Sequence, residues 1–135
     1  MTFMGARPAF DLERFFQALG DRTRLRSLNL MGDQEICVCY FVEILGVSQP
    51  KISRHLAYLR RAGIVAPRRE GKWMHYRLMM PKDQAAAGIL TETLKHLKQA
   101  PEMRNDILRL DSACCTPQKY ELLALAPRPV VLPTA

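Results

Sequence analysis

The chain has 135 residues, 48% of them hydrophobic, and a formal charge of +7. That length suits one compact unit with appendages, because a small chain buries enough apolar surface only as a single core. No run of about 18 uninterrupted apolar residues occurs, which excludes a conventional membrane-spanning helix, and the opening "MTFMGARPAF" lacks the basic, apolar and small-residue plan of a secretory signal. The expectation is a cytoplasmic protein with no membrane partner. In that reducing compartment the four cysteines point to ligands, redox groups or buried fillers rather than a disulfide framework.

The charge is localised. Residues 48 to 77 hold eight basic groups (Lys51, Arg54, Arg60, Arg61, Arg68, Arg69, Lys72 and Arg77) against one acid, Glu70. This stretch nets +7, and the remainder, with twelve charges of each sign, nets zero. Such a footprint is what holding a phosphate backbone requires, although without a motif around it a solvated basic face would explain it equally well.

In chain order, "PAFDLERFFQALGD" places Leu12, Phe15, Phe16 and Leu19 at helical spacing, with Gly20 as a stop. Asp21 can cap a second helix in "DRTRLRSLNLMGD", where Leu25 and Leu28 share a face and Gly32 marks the end. A third, short helix fits "VCYFVEILG". Ser48 then caps a fourth, "SQPKISRHLAYLRRAG", in which Pro50 is tolerated in the first turn because its missing N–H has no helical partner there. Ile52, Leu56 and Leu59 form the inward stripe of this helix, leaving Gln49, Lys51, Ser53 and Arg54 to face outward near its start. "IVAPRREGKWMHYRL" follows with β-branched and aromatic residues around a Glu70-Gly71 turn, the pattern of a β-hairpin with a basic tip.

Two helices joined by Gly46 and Val47, the second opening with small polar and basic residues, read as a helix-turn-helix, though a plain helical hairpin has the same outline. A helix start offers free N–H groups to phosphates, while Gln pairs bidentately with adenine and Arg with guanine. The hairpin tips the balance: with it the unit is a winged helix-turn-helix, mainly α with a small β-hairpin wing. Ser48, Gln49, Lys51, Ser53, Arg54 and His55 would then read DNA, with Arg68, Arg69 and Lys72 of the wing on phosphates or the minor groove. Trp73 and Tyr76 are expected to pack at the hairpin base. His55 and His75 are expected to touch DNA or pack rather than bind metal.

Taken together, "EICVCYFVEILGVSQPKISRHLAYLRRAGIV" and "REGKWMHYRL" closely resemble the ArsR/SmtB family of metal-responsive winged-helix repressors, above all its arsenic-sensing branch. The resemblance covers roughly residues 10 to 100. It implies no enzymatic activity, a homodimer on palindromic double-stranded operator DNA, no cofactor for DNA binding, and release when a metal or metalloid binds. It also implies a fifth helix that pairs the subunits together with the first. "PKDQAAAGILTETLKHLKQA" fits that place, with Pro81 at its start and Ala86, Leu90, Leu94 and Leu97 as an apolar seam. Residues 1–100 would form the DNA-binding and dimerisation domain. Residues 101–135 would be an extension with a short helix through Met103, Ile107 and Leu110, a second short helix in "QKYELLALA", and a disordered, proline-rich end.

The arsenic-sensing signature has two thiols one residue apart and a third three residues on. Cys37 and Cys39 match the first two, but the third place is Val42. As(III) prefers three soft thiolates, and soft ions in general select thiolate, so the shell is incomplete. Cys114 and Cys115 are the remaining candidates, and some sensors of this family draw on such a C-terminal pair. In one arrangement, Cys37 and Cys39 are joined by Cys114 or Cys115 from the same or the partner subunit. In the other, Cys114 and Cys115 alone take a trivalent arsenical, such as a methylated one needing two thiolates. His96 stands alone on the fifth helix, too few ligands for the zinc site that other members carry there.

As(III) or Sb(III) is therefore the expected inducer, bound at the start of the third helix, where free N–H groups favour thiolate. On a regular helix the side chains of Cys37 and Cys39 would point about 200° apart, so gathering both on one ion is expected to unwind the first turn. Alternatives that use the same cysteines are sensing of Cd(II) or Pb(II), methylarsenite selectivity, thiol redox sensing, or a small buried-residue role for Cys37 and Cys39. A thiol enzyme is disfavoured, because neither a Cys-x-x-Cys pair nor a phosphate-cradling loop is present.

Overall fold

A computed structural model describes residues 10–133 of the protein; residues 1–9 of the expected first domain and the last two of the chain lie outside it. The order is α1 (Leu12–Leu19), α2 (Arg22–Met31), β1 (Gln34–Cys37), α3 (Val38–Leu45), α4 (Gln49–Arg61), β2 (Val65–Glu70), β3 (Trp73–Leu78), α5 (Gln84–Leu97), α6 (Pro101–Cys115), a 3-10 turn (Pro117–Lys119) and β4 (Val130–Val131). No helix among the described residues is long and apolar enough to cross a membrane.

Local chemistry accounts for most of these boundaries. Asp11 and Asp21 each accept the backbone N–H three residues on, from Arg14 and Arg24, both at 2.9 Å, which satisfies donors that the first helical turn leaves open. Gly46 ends α3 in the left-handed region (φ 66°) and so turns the chain into α4 within three residues, a conformation costly for any residue with a Cβ. Ser48 stands at the N-cap of α4 as expected, yet its side chain makes no capping hydrogen bond. Asp83 rather than Pro81 opens α5: its carboxylate accepts from Ala86 N–H at 3.0 Å, while Pro81 lies buried three residues before the helix.

The sheet order is β2-β3-β1-β4, antiparallel throughout. β2 and β3 form the wing, paired from Val65↔Leu78 to Glu70↔Trp73, so the two-residue tip is Gly71-Lys72, one residue beyond the expected turn. Gly71 takes φ 58°, the positive value such a short turn demands at its first central residue. β1 adds to the inner edge of the wing, with Ile36 opposite Tyr76 and Cys37 opposite His75.

The core lies where α1 to α4 meet this sheet. Phe15, Leu28, Ile36, Phe41, Ile52 and Leu56 are fully buried within it. Of the expected α1 stripe, Phe15 and Leu19 enter the core, whereas Leu12 and Phe16 are about half exposed in the single chain.

The chain after residue 100 departs most from expectation. α6 runs four turns, to Cys115, and packs on α2 and α3. Its Asp106, 2% exposed, accepts from Nε (2.8 Å) and Nη2 (2.9 Å) of Arg26 in α2, and Asn29 donates to the Met103 carbonyl at 3.0 Å. Beyond it, residues 117–126 form turns rather than a second α-helix, with Leu123 fully buried. Val130 and Val131, in the segment expected to be disordered, pair with Glu35 and Gln34 of β1. An unpaired β1 edge explains this pairing, since a short apolar strand satisfies its backbone groups.

A thiol-lined cleft beside the candidate DNA interface

α4 presents Ser48, Gln49, Lys51, Ser53 and Arg54 to solvent, as its sequence pattern predicts. His55 departs from that set. Its Nδ1 lies 3.2 Å from Nη1 of Arg24 and 3.8 Å from Asp21, and its side chain is only 18% exposed. It packs against α2 because it falls just beside the buried stripe of α4, and this burial lowers its pKa despite the attraction of Asp21. Arg24 ties the same corner together, donating to the carbonyls of Ala18 and Gln17, both at 2.8 Å, and stacking 4.2 Å from the centre of the Tyr58 ring.

On the wing, Arg69 and Lys72 are exposed, with the ammonium of Lys72 5.0 Å from the Trp73 ring centre. Arg68 is half-exposed but engaged: Nε and Nη2 reach Oε1 of Glu35 at 2.8 and 2.7 Å. This pair holds the buried Glu35 carboxyl below the usual carboxylate range, the hydrogen bond from Arg68 outweighing the opposing effect of burial. Glu35 escaped the sequence reading, although an acid two residues before Cys37 and facing a basic wing was the available signal. His75 is buried, with Nε2 2.9 Å from Oε1 of Glu70 near the wing tip.

Cys37 and Cys39 line one cleft of about 370 Å³ together with Val42 of α3, Gln49 and Ser53 of α4, and Lys72 and Trp73 of the wing. The expected divergence of the two thiols does not occur, because Cys37 is not on the helix. It is the last residue of β1 and the N-cap of α3, with extended backbone (φ −68°, ψ 144°), so its side chain turns towards that of Cys39. The expectation of a favoured thiolate is also corrected at Cys37, whose pKa is pushed up to about 11. Burial is the main cause and exceeds the stabilisation from the backbone N–H groups of Cys39 and Val38.

Cys114 is half-buried and Cys115 exposed at the end of α6. Burial raises the pKa of Cys114, and Asp111 adds to the effect. Among the described residues no three or more His, Cys, Asp or Glu side chains are grouped to hold a metal ion, so a single chain does not assemble Cys37, Cys39 and a third sulfur in this conformation. Tyr40, which the sequence reading passed over, is fully buried on α3, and its hydroxyl has no hydrogen-bond partner among the described residues.

A helix-turn-helix with an outward-facing polar and basic α4, flanked by a basic antiparallel hairpin, defines a winged-helix DNA-binding regulator. Comparison with known proteins agrees. Residues 21–66 match the family model described as bacterial regulatory protein, arsR family. The chain is 46% identical over 80 residues to the arsenical resistance operon repressor of Escherichia coli K12, spanning 58% of this chain and 68% of that one. It is 39% identical over 110 residues to the arsenic resistance transcriptional regulator ArsR2 of Pseudomonas putida KT2440, spanning 74% and 94%. Reduced HlyU from Vibrio cholerae N16961 superposes with a TM-score of 0.54 at 27% identity, covering 65% of this chain and 85% of that structure. The protein belongs to the arsR family of bacterial regulatory proteins, whose fold is that of transcriptional regulators rather than enzymes.

Proposed function

We propose that this protein is a cytoplasmic transcriptional repressor that binds operator DNA as a homodimer, paired through α1 and α5, and is released when trivalent arsenic or antimony binds cysteine thiolates. The names of its relatives support the arsenical inducer, and the exposed Leu12 and Phe16 on α1 supply apolar surface for pairing. Ser48, Gln49, Lys51, Ser53 and Arg54 read the major groove, while Arg69 and Lys72, with Arg68 held against β1 by Glu35, engage the backbone.

The observation that carries the reading is the shared cleft: Cys37 and Cys39 open onto the same space as Gln49 and Ser53 of the recognition helix and Lys72 of the wing. A ligand held by the two sulfurs therefore stands between the two DNA-reading elements. A thousandfold loss of operator affinity requires it to prefer the displaced arrangement by about 4 kcal/mol. Inorganic As(III), which takes three sulfurs, draws its third from Cys114 or Cys115, brought in by movement of the α6 end or from the partner subunit.

The test is operator binding followed by fluorescence anisotropy with and without arsenite. Cys37→Ser and Cys39→Ser should bind operator like the wild type and lose release by arsenite and antimonite. Full release in both variants overturns the assignment.

A further inference from the structure

We propose that the groove bounded by α2, α5 and α6 is a second ligand site, one that takes an organic anion with an extended apolar body, such as a medium-chain carboxylate, its tail along the apolar walls and its head beside Lys98 and Arg104. The site is separate from the thiol cleft, with which it shares no lining residue.

The walls are the first reason. Leu30 of α2 and Met103 of α6 are buried, Leu94 of α5 and Ile107 of α6 are half-buried, and Met80 and Leu108 are 48% and 65% exposed at the opening. Single exposed apolar side chains are ordinary, whereas a concave group of them with a few polar residues at its edge is the usual form of a ligand site. The groove measures about 700 Å³, within the range of about 300–1,000 Å³ common for small-molecule sites.

Charge selects the head group. Lys98 caps the end of α5 and Arg104 lies one turn into α6, so the two cations flank the short link between these helices. Among the described residues neither takes part in a salt bridge. The start of α6 adds to the positive potential, because Ala100 offers no side chain to cap its first N–H groups. Opposing charge is limited: Glu102 of that turn is engaged by Arg22 at 2.7 Å, and Asp33 is the one acid among the described lining residues. A carboxylate is therefore favoured over an alcohol or an amine of the same length. On α5, Leu94 and Lys98 stand about 140° and 180° round the helix from Ile89, so a ligand in the groove leaves the Ile89 flank open to pairing with a second copy.

Isothermal titration calorimetry of the full chain with decanoate, 1-decanol and decylamine tests the site. Decanoate should bind saturably and about tenfold more tightly than decanol, the gain from two exposed ion pairs, with decylamine weakest. Lys98→Ala/Arg104→Ala should retain decanol binding and erase the preference for the acid. Octanoate, with two fewer methylenes to bury, should bind about tenfold more weakly than decanoate. Met80→Gln/Leu108→Gln, at exposed positions outside the core, should weaken decanoate and decanol alike while the circular dichroism and sedimentation mass of the wild type are kept. No saturable decanoate binding, decylamine binding as tightly as decanoate, or decanoate affinity unchanged in Met80→Gln/Leu108→Gln overturns the proposal. So does a fall in the sedimentation mass of Met80→Gln/Leu108→Gln to that of a single chain, which would give the groove to a second copy instead.

Discussion

Substituting Asp106 by Ala tests whether α6 is an integral part of the fold. The carboxylate accepts two charge-assisted hydrogen bonds from Arg26, at 2.8 and 2.9 Å, and is 2% exposed, while the Arg26 side chain is 17% exposed. Removing one member of a buried pair costs about 3–5 kcal/mol, because the remaining charge loses its compensation. Arg26 keeps some access to water, so the lower end, about 3 kcal/mol, applies. For a chain of this size each kcal/mol moves Tm by about 3–5 °C, which predicts a fall of about 10 °C by calorimetry. Since α6 carries Cys114, its loosening should also raise the alkylation rate of that half-buried thiol towards that of exposed Cys115, read by mass spectrometry. Replacing both partners together, Arg26→Met with Asp106→Leu, should recover most of the stability. A Tm within about 2 °C of wild type, with unchanged Cys114 reactivity, would refute the idea that this pair anchors the extension.

Three further outcomes are expected. With a pKa near 11, Cys37 should react with iodoacetamide at a rate that climbs about tenfold per pH unit up to pH 10, whereas an ordinary thiol levels off above about 8.5; a plateau at pH 8 to 9 contradicts the burial argument. Tyr40→Phe removes a buried hydroxyl that has no partner among the described residues, so thermal denaturation should show unchanged or raised stability, by up to about 1 kcal/mol, rather than the loss expected when a working hydrogen bond is cut. Lys72→Ala should weaken binding alike on specific and unrelated DNA and reduce the salt slope of log K by about 1, measured across a salt titration, whereas Gln49→Ala should change preference among operator variants.

Much of the regulator was legible in the residues. Asp11, Asp21 and Gly46 mark helix ends through the backbone groups they satisfy or the φ they permit, and these are local effects. The outward face of α4 follows from the spacing of Ile52, Leu56 and Leu59, which leaves Gln49, Lys51, Ser53 and Arg54 exposed. Pro81 misled because it fits a helical first turn, yet Asp83 supplies the hydrogen bond that starts α5. His55 misled for the opposite reason: it stands on the recognition helix, but its orientation depends on Arg24 and Asp21, some thirty residues earlier.

By itself the sequence determined the element types, the basic reading surface and the presence of soft ligands, because helix periodicity, capping and charge depend on near neighbours along the chain. Only the tertiary structure decided how the thiols stand. Cys37 leaves the helix because β1 pairs with β3, and the same pairing buries its sulfur and raises its pKa. The docking of α6, the β4 strand and the Arg68–Glu35 pair were equally undecided in the chain, since each joins groups more than thirty residues apart. Such contacts form only after the core has brought their elements together, which is why the cleft belongs to the fold rather than to any motif.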